Sequence, residues 1–413
     1  MGNDTIVSFC NPAFRDELSE LLRHGAQRMI RDAVEVELTS FLEEHAAERD
    51  EVGRRAVVRN GYQPAREVLT GIGAVEVQLP KTRDRTGAGR CFRSMLLPPY
   101  LKKTKRLEAV IPWLYLKGVS TNGFDEALQA LFGESVKGLS PSTIARLKHG
   151  WEAEYAEWRC RDWHGHKFVY LWADGIYANV RRDERRCMLV VVGCDVRGNK
   201  HFLAIEEGFR ESTESWKALL LSLRDRGIDA AKLAVGDGAL GFWAALAEVY
   251  PETRDQRCWV HKTVNVLDKL PKSVHGEAKS ALHAIWQAES RDHAERAFDR
   301  FIATFEAKYP KAVHCLVKDR EALLAFYDFP AAHWQHLRTT NPIESTFATI
   351  RLRTSKTRNC VSAKSGLGLM HQLAMSAQKR WRRLRGFRQL ADVVAGVHFI
   401  DGIDERTISR KAA

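Results

Sequence analysis

Hydrophobic positions recur every three to four residues over 8–48. Phe9, Phe14, Leu18, Leu21 and Leu22 form an apolar stripe, and Met29, Ile30, Val34, Val36, Leu38, Phe41 and Leu42 continue it, which predicts helix. The period drops to two in Arg66–Thr70 and Ala74–Pro80, on either side of Gly71-Ile72-Gly73, predicting a small β-hairpin. Basic stretches flank it. Arg54–Gly61 reads as a turn region, and Lys81–Arg85 as a solvated charge run or a phosphate-contacting arm. Helical spacing returns from Lys102: Leu107 to Leu116 build one helix closed by Gly118, Thr121–Leu131 a second, and Ser140–His149 a third.

Beyond a polar stretch from Trp158 to His166 the pattern changes character. Lys167–Asp174 is an apolar run ending in an acid, Arg186–Cys194 a second and Lys200–Glu207 a third, and the short turns between them imply an antiparallel meander. Ser215–Arg226 is an amphipathic helix, Ala231–Asp237 a fourth strand, Leu240–Tyr250 a helix and Arg254–Val260 a short fifth strand. The order β-β-β-α-β-α-β is that of a ribonuclease H-like α/β fold. Residues 263–338 read as helical throughout, with Trp286, Phe298, Phe301, Phe305 and Trp334 as large anchors, and form an insertion in that fold. Leu367–Leu384 reads as a basic helical tail containing Lys379-Arg380-Trp381-Arg382-Arg383. The expected domains are a helical region with a β-hairpin (1–101), a helix-turn-helix (102–160), a first part of the α/β domain (165–262), the all-helical insertion (263–338), and a second part with the tail (339–400).

Composition narrows the partner. The chain has 413 residues, and 64 Lys and Arg against 52 Asp and Glu leave a formal charge of +12. That excess favours a polyanion, since each phosphate contact releases counterions. Eight cysteines without a repeated spacing suit reduced thiols. No basic start followed by an apolar core opens the chain, and no apolar run approaches a membrane span, so neither a secretory leader nor a membrane partner is expected.

The stretch Asn341-Pro342-Ile343-Glu344-Ser345 opens a helix, with Asn341 as cap, Pro342 at the first position, and Ile343, Phe347 and Ile350 as its apolar face. A carboxylate in a first turn is ordinary dipole chemistry. Glu344 gains interest from Asp174 and Asp237, each closing an apolar strand. In the expected sheet the first strand is central and the fourth is its neighbour, so these acids lie side by side, within reach of Glu344. Three close carboxylates repel unless a hard divalent cation neutralises them, which points to Mg2+, with Mn2+ as a substitute. Paired cations of this kind activate a nucleophilic oxygen and stabilise a leaving oxygen in phosphoryl transfer. Asp195 reads as turn chemistry, and Glu206 and Glu207 stay outside the triad. The third helix of 102–160 has small polar residues early and cations later, so Ser142 and Thr143 are candidates for base edges, with Arg146 and Lys148 beside them. Cys258 and His261 form a Cys-x2-His pair with no second pair at zinc-finger spacing. A structural or DNA-end-positioning role therefore competes with a metal role that would draw on Cys160, His164 or His166.

Asp174-Gly175, Gly236-Asp237-Gly238, Cys258-Trp259-Val260-His261-Lys262 and Asn341–Ser345 together resemble the Mutator-type transposases of bacterial insertion sequences, as do Arg59-Asn60-Gly61-Tyr62, Leu116–Thr121 and Leu139–Thr143. The resemblance implies a DDE triad at Asp174, Asp237 and Glu344 that serves both catalysis and metal binding, a Cys-x2-His signature at Cys258 and His261, and a basic residue at Arg351; Arg353, two residues on, is a further candidate for DNA contact. It implies Mg2+-dependent cleavage and strand transfer of terminal inverted repeats into target DNA, by a homodimer or larger assembly in the bacterial cytoplasm, on the nucleoid. Two other classes stay open: a DNA-binding regulator on a degenerate nuclease fold, and a nuclease without strand transfer.

Overall fold

The computed structural model describes residues 17–104, 141–181, 184–238, 240–356 and 363–412, and the chain divides into two compact units, Met1–Leu147 and Lys148–Ala413. In the first unit, helix α1 (Glu17–Glu44) precedes strands β1 (Val57–Tyr62), β2 (Arg66–Thr70), β3 (Gly73–Val77) and β4 (Pro80–Asp84). Val34 and Leu38, one helical turn apart, pack with Val68, Val75, Val77, Leu79 and Phe92. The expected hairpin is β2–β3, with Val68 opposite Val75. Gly73 closes its turn at φ 105°, a backbone that favours glycine. The apolar stripe on α1 divides: Leu18, Leu21, Leu22 and Met29 are exposed.

The two basic stretches expected as turn and charge run are instead strands β1 and β4, paired antiparallel with Val58 opposite Arg83. Val57 and Thr82 are buried while Lys81 and Arg83 face outward, so period-two alternation is present but carried by charged side chains. Arg59 is held by both oxygens of Glu35, at 2.8 and 2.7 Å.

Helix α2 (Pro141–Arg159) is longer than the expected Ser140–His149. In the second unit its latter half buries Trp151 and Tyr155, Tyr155 Oη donates to the carbonyl of Ile205 at 2.8 Å, and Arg159 forks onto Glu206. The two helices expected before it fall within 105–140, outside the described residues.

Strands β5 (Phe168–Arg181), β6 (Glu184–Asp195) and β7 (Lys200–Gly208) form the meander, followed by α3 (Thr213–Asp225), β8 (Leu233–Gly236), α4 (Leu240–Val249) and β9 (Arg254–Arg257). The sheet order is β7-β6-β5-β8-β9, with β8 parallel to β5 and β9 parallel to β8. Trp216, Leu219, Leu220 and Leu223 of α3 join Phe242, Ala245 and Leu246 of α4 over one sheet face, against Leu171, Ala173, Leu189 and Ala234. On the other face Trp172 Nε1 donates to the carbonyl of His336 at 2.9 Å, and Tyr170 Oη and His333 Nδ1 share a hydrogen bond of 2.8 Å. A strand covered on both sides reads as an unbroken apolar run, as β5 does up to Ala173. Two strand ends differ from expectation. Strand β5 continues past Asp174, which stays in register opposite Val190. Strand β9 stops at Arg257, and Cys258 occupies the cap position of helix α5 (Trp259–Leu267).

The helical block continues as α6 (His275–Trp286), α7 (Arg291–Phe305), α8 (Pro310–Val317), α9 (Arg320–Leu324) and α10 (Trp334–Leu337). Phe298, Phe301 and Phe305 are buried within it and pack its own core. Helices α11 (Asn341–Lys356) and α12 (Ala363–Gln378) follow, then α13 (Leu390–Val394), a hairpin of β10 (Phe399–Ile400) and β11 (Ile403–Asp404), and α14 (Glu405–Ala412). The expected basic helical tail ends early, because helix stops at Gln378 and Lys379–Arg383 follow in non-helical backbone. There Trp381 packs on Phe202, with ring centroids 4.6 Å apart. Among the described residues no helix is long and apolar enough to cross a membrane.

Candidate active site

Four segments converge at the β5–β8 edge of the sheet. Strand β5 delivers Asp174, which is 6% exposed although its register is that of an ordinary strand residue. The turn after β8 delivers Asp237. Its backbone carbonyl accepts from Trp243 Nε1 at 2.9 Å and Arg257 Nη1 at 3.3 Å, and its carboxylate accepts from the Gly238 amide. The first turn of α5 delivers His261, and the first turn of α11 delivers Glu344.

Ligand atoms of Asp174, Asp237 and His261 lie within 4.8 Å of one another, and so do those of Cys258, His261 and Glu344. His261 is the member common to both sets: its Nδ1 stands 3.9 Å from Asp237 Oδ1 and its Nε2 3.7 Å from Glu344 Oε1. The expected triad is therefore gathered as two acids on one side of an imidazole and one on the other.

Electrostatics follow from this packing. Burial lifts the Asp174 carboxyl to about 7; the charge of His261 opposes that rise, and Asp237, Glu344 and Glu211 add to it. His261 is raised to about 9. Interaction with Cys258 leads, burial opposes, and the charges of Cys258, Asp237 and Asp174 add to the rise. Among the described residues no group hydrogen-bonds the buried Nδ1 of His261. A buried carboxylate beside two more acids is a donor set that fits a hard divalent cation.

The helix start at Glu344 differs by one residue from expectation. The Thr340 carbonyl accepts from the Glu344 amide at 3.1 Å, so Thr340 is the cap and Asn341 is already helical. Thr340 is fully buried. Its amide and hydroxyl both reach Cys258 Sγ, at 3.4 and 3.5 Å, and its hydroxyl donates to Glu344 Oε1 at 3.0 Å. Cys258 thus anchors the cap that aims Glu344.

Of the competing acids, Asp195 accepts from the Arg197 and Asn199 amides, as turn chemistry requires, and Glu206 pairs with Arg159. Cys160, His164 and His166 join neither ligand set among the described residues. On α2, Ser142 and Thr143 occupy the first turn, Arg146 is exposed and Lys148 half-buried. Arg351 and Arg353 lie further along the helix that carries Glu344.

Two residues at the site gave no sequence signal. Thr340 is one. The other is Glu211, just before α3, whose carboxyl group fills the space a Cβ on Gly175 would take and whose charge reaches Asp174. A lone polar residue in a loop has no periodicity, and only tertiary approach reveals it.

Residues 7–384 match the family described as Transposase, Mutator family. The chain is 50% identical over 286 residues to the transposase for insertion sequence element IST2 of Acidithiobacillus ferrooxidans, covering 67% of this chain and 95% of that protein. It is 48% identical over 297 residues to the transposase for IS6120 of Mycolicibacterium smegmatis, covering 72% and 92%. It is 29% identical over 376 residues to the transposase for ISRM5 of Rhizobium meliloti, covering 90% and 91%.

Proposed function

Because the chain belongs to the Mutator family of transposases, enzymes that cut and transfer DNA, we propose that it moves an insertion sequence by Mg2+-dependent strand cleavage and strand transfer at Asp174, Asp237 and Glu344. The observation that carries this reading is the convergence of those three acids, remote in sequence, around His261. The sheet order, with two of the acids at the central strand and its neighbour, supports a ribonuclease H-like fold interrupted by the helical block.

Divalent cations held there would neutralise the attacking and leaving oxygens of phosphoryl transfer. The rest is the work of the chain itself. Trp243 and Arg257 fix the backbone of Asp237, so its carboxylate turns toward Asp174. Thr340 fixes Glu344. His261, raised by Cys258 and by the acids beside it, offsets part of the acidic charge and is a donor for a phosphate oxygen. Water is limited on the Asp174 side, where the carboxyl is buried.

In this reading residues 102–160 bind the terminal inverted repeats through a helix-turn-helix, with Ser142, Thr143, Arg146 and Lys148 on DNA, while Arg351 and Arg353 contact phosphates near the cut. The protein works as a dimer or larger assembly, since one active site engages one end at a time, and it acts on the nucleoid in the cytoplasm. The test is incubation with end-bearing duplex, target plasmid and Mg2+. Joined products flanked by short target duplications are expected. Cleavage without joining would make the protein a nuclease only, and binding without cleavage a regulator.

A further inference from the structure

Helix α8 buries Ala312, Val313 and Leu316 and turns Lys311, His314 and its cap residue Lys318 outward, one basic stripe at helical spacing. Lys269, at the end of α5, joins these three around a cleft of about 510 Å3 that Cys315 also lines. No acidic side chain lines the cleft among the described residues. The acids next in sequence are otherwise placed. Asp319 is taken up by Lys262 and, at 3.3 Å, by Arg257, while Asp268 caps α5 outside the lining. No ion pair engages Lys269, Lys311 or Lys318 among the described residues, so three like charges share one cleft without compensation.

The helix that carries His261 ties this cleft to the acid cluster. The backbone of α5 stays helical through Asp268 and Lys269, whose amides donate to the carbonyls of Val264 and Val266 at 2.9 and 3.0 Å. Lys269 therefore stands about 12 Å along the axis from His261, at 1.5 Å per residue. Lys262, beside His261, donates to the Cys315 carbonyl at 2.9 Å and pins α8 to the same helix. The spacing of cleft and acids is thus fixed by packed backbone.

We propose that Lys269, Lys311 and Lys318 clamp the phosphate backbone of the transposon-end duplex beside the scissile phosphate. This rests on the DNA-cleaving reading given above. A duplex rises 3.4 Å per base pair, so 12 Å from the acids corresponds to roughly three to four pairs from the cut. Lysine suits the task, as a mobile point charge that meets phosphate without reading a base. The clamp would hold the duplex in register while the acids act, whatever the sequence beneath it.

The test is binding of the full-length protein to an end-bearing duplex over a salt series in EDTA, with ethylation interference on the same complex. Each of Lys269→Ala, Lys311→Ala and Lys318→Ala is expected to lower the slope of log affinity against log salt by about 0.9, and the triple variant by about 2.7. The same change is expected on random duplex. Interference at phosphates roughly three to four pairs from the cut should vanish in the triple variant. Replacing all three by Arg should keep both slope and interference, and Lys217→Ala, in an exposed pair with Glu248, should change neither. A wild-type slope in the triple variant would overturn the proposal. A reduced slope with that interference intact would overturn it too. Failure of wild type itself to bind the end duplex would instead remove the DNA-cleaving reading, and the clamp with it.

Discussion

The Nε2 atom of His261 lies 3.7 Å from Oε1 of Glu344. That approach joins the start of α5 to the start of α11 and closes the acidic cluster from the side opposite Asp174. It is held in place by Thr340, which bonds to both Cys258 and Glu344. The Cys-x2-His pair and the acid helix are therefore one device: the cysteine positions the cap and the histidine faces the acids.

Thr340→Val removes the hydroxyl and keeps the shape. Cleavage is expected to fall about tenfold, as for loss of a partner that orients a metal-binding side chain, with terminal-repeat binding unchanged. Single-turnover cleavage beside a mobility-shift titration checks this; unaltered cleavage would show that Glu344 needs no orienting bond.

Lys262 is 2% exposed. Its Nζ donates to the Cys315 carbonyl at 2.9 Å and pairs with Asp319, which Arg257 also reaches at 3.3 Å. Lys262→Met leaves Asp319 with half its compensation. A loss of about 3 kcal/mol is expected from breaking a buried pair on one side, read from the denaturant midpoint. Because Arg257 also touches Asp237, cleavage should fall as well.

The stability of the second unit should fall in mild acid. His371 is buried beside Tyr155 and Trp158, with neither ring nitrogen hydrogen-bonded among the described residues, and burial pushes it down to about 4, opposed by Glu154. The unfolded chain takes up the proton near the usual histidine value of about 6.5, and the folded chain only near 4. Stability is fully present above the unfolded value and drains away as pH falls through this window, by about 3 kcal/mol at most. His371→Leu should flatten the slope between pH 7 and 4.5 in denaturant titrations. An unchanged slope would place the acid sensitivity elsewhere, with His336, also pushed down to about 4, the next residue to replace.

Much of this architecture was legible in the sequence because burial imposes a pattern. Strand β5, covered on both faces, reads as an apolar run, and Asp174 and Asp237 are conspicuous as acids where such runs meet the site. Glu344 is marked by the helix start around it. Strands β1 and β4 escaped because their outward positions are Arg and Lys, which mimic a charged loop. The strand after Arg254 appeared longer than it is because Cys258, Trp259 and Val260 suit a strand locally, whereas Cys258 caps a helix. Thr340 could not be found, since its role arises only from contacts across the fold. Phe298, Phe301 and Phe305, legible in the sequence as large anchors of the helical block, form its core.

Assembly is tested without naming the surface that carries it. Wild-type protein mixed with Asp174→Asn protein should lose strand transfer more steeply than the inactive fraction rises. A loss in simple proportion would mean that subunits act independently on their ends.

In the proposed reaction Asp174, Asp237 and Glu344 act together in DNA cleavage while other surfaces hold DNA. Its most direct test is cleavage of a terminal-repeat duplex in Mg2+ by Asp174→Asn, Asp237→Asn and Glu344→Gln, each measured beside its affinity for the same duplex. All three variants are expected to bind as wild type does and to cut at no detectable rate. Full cleavage by any one of them would remove that residue from the triad and contradict the proposed mechanism.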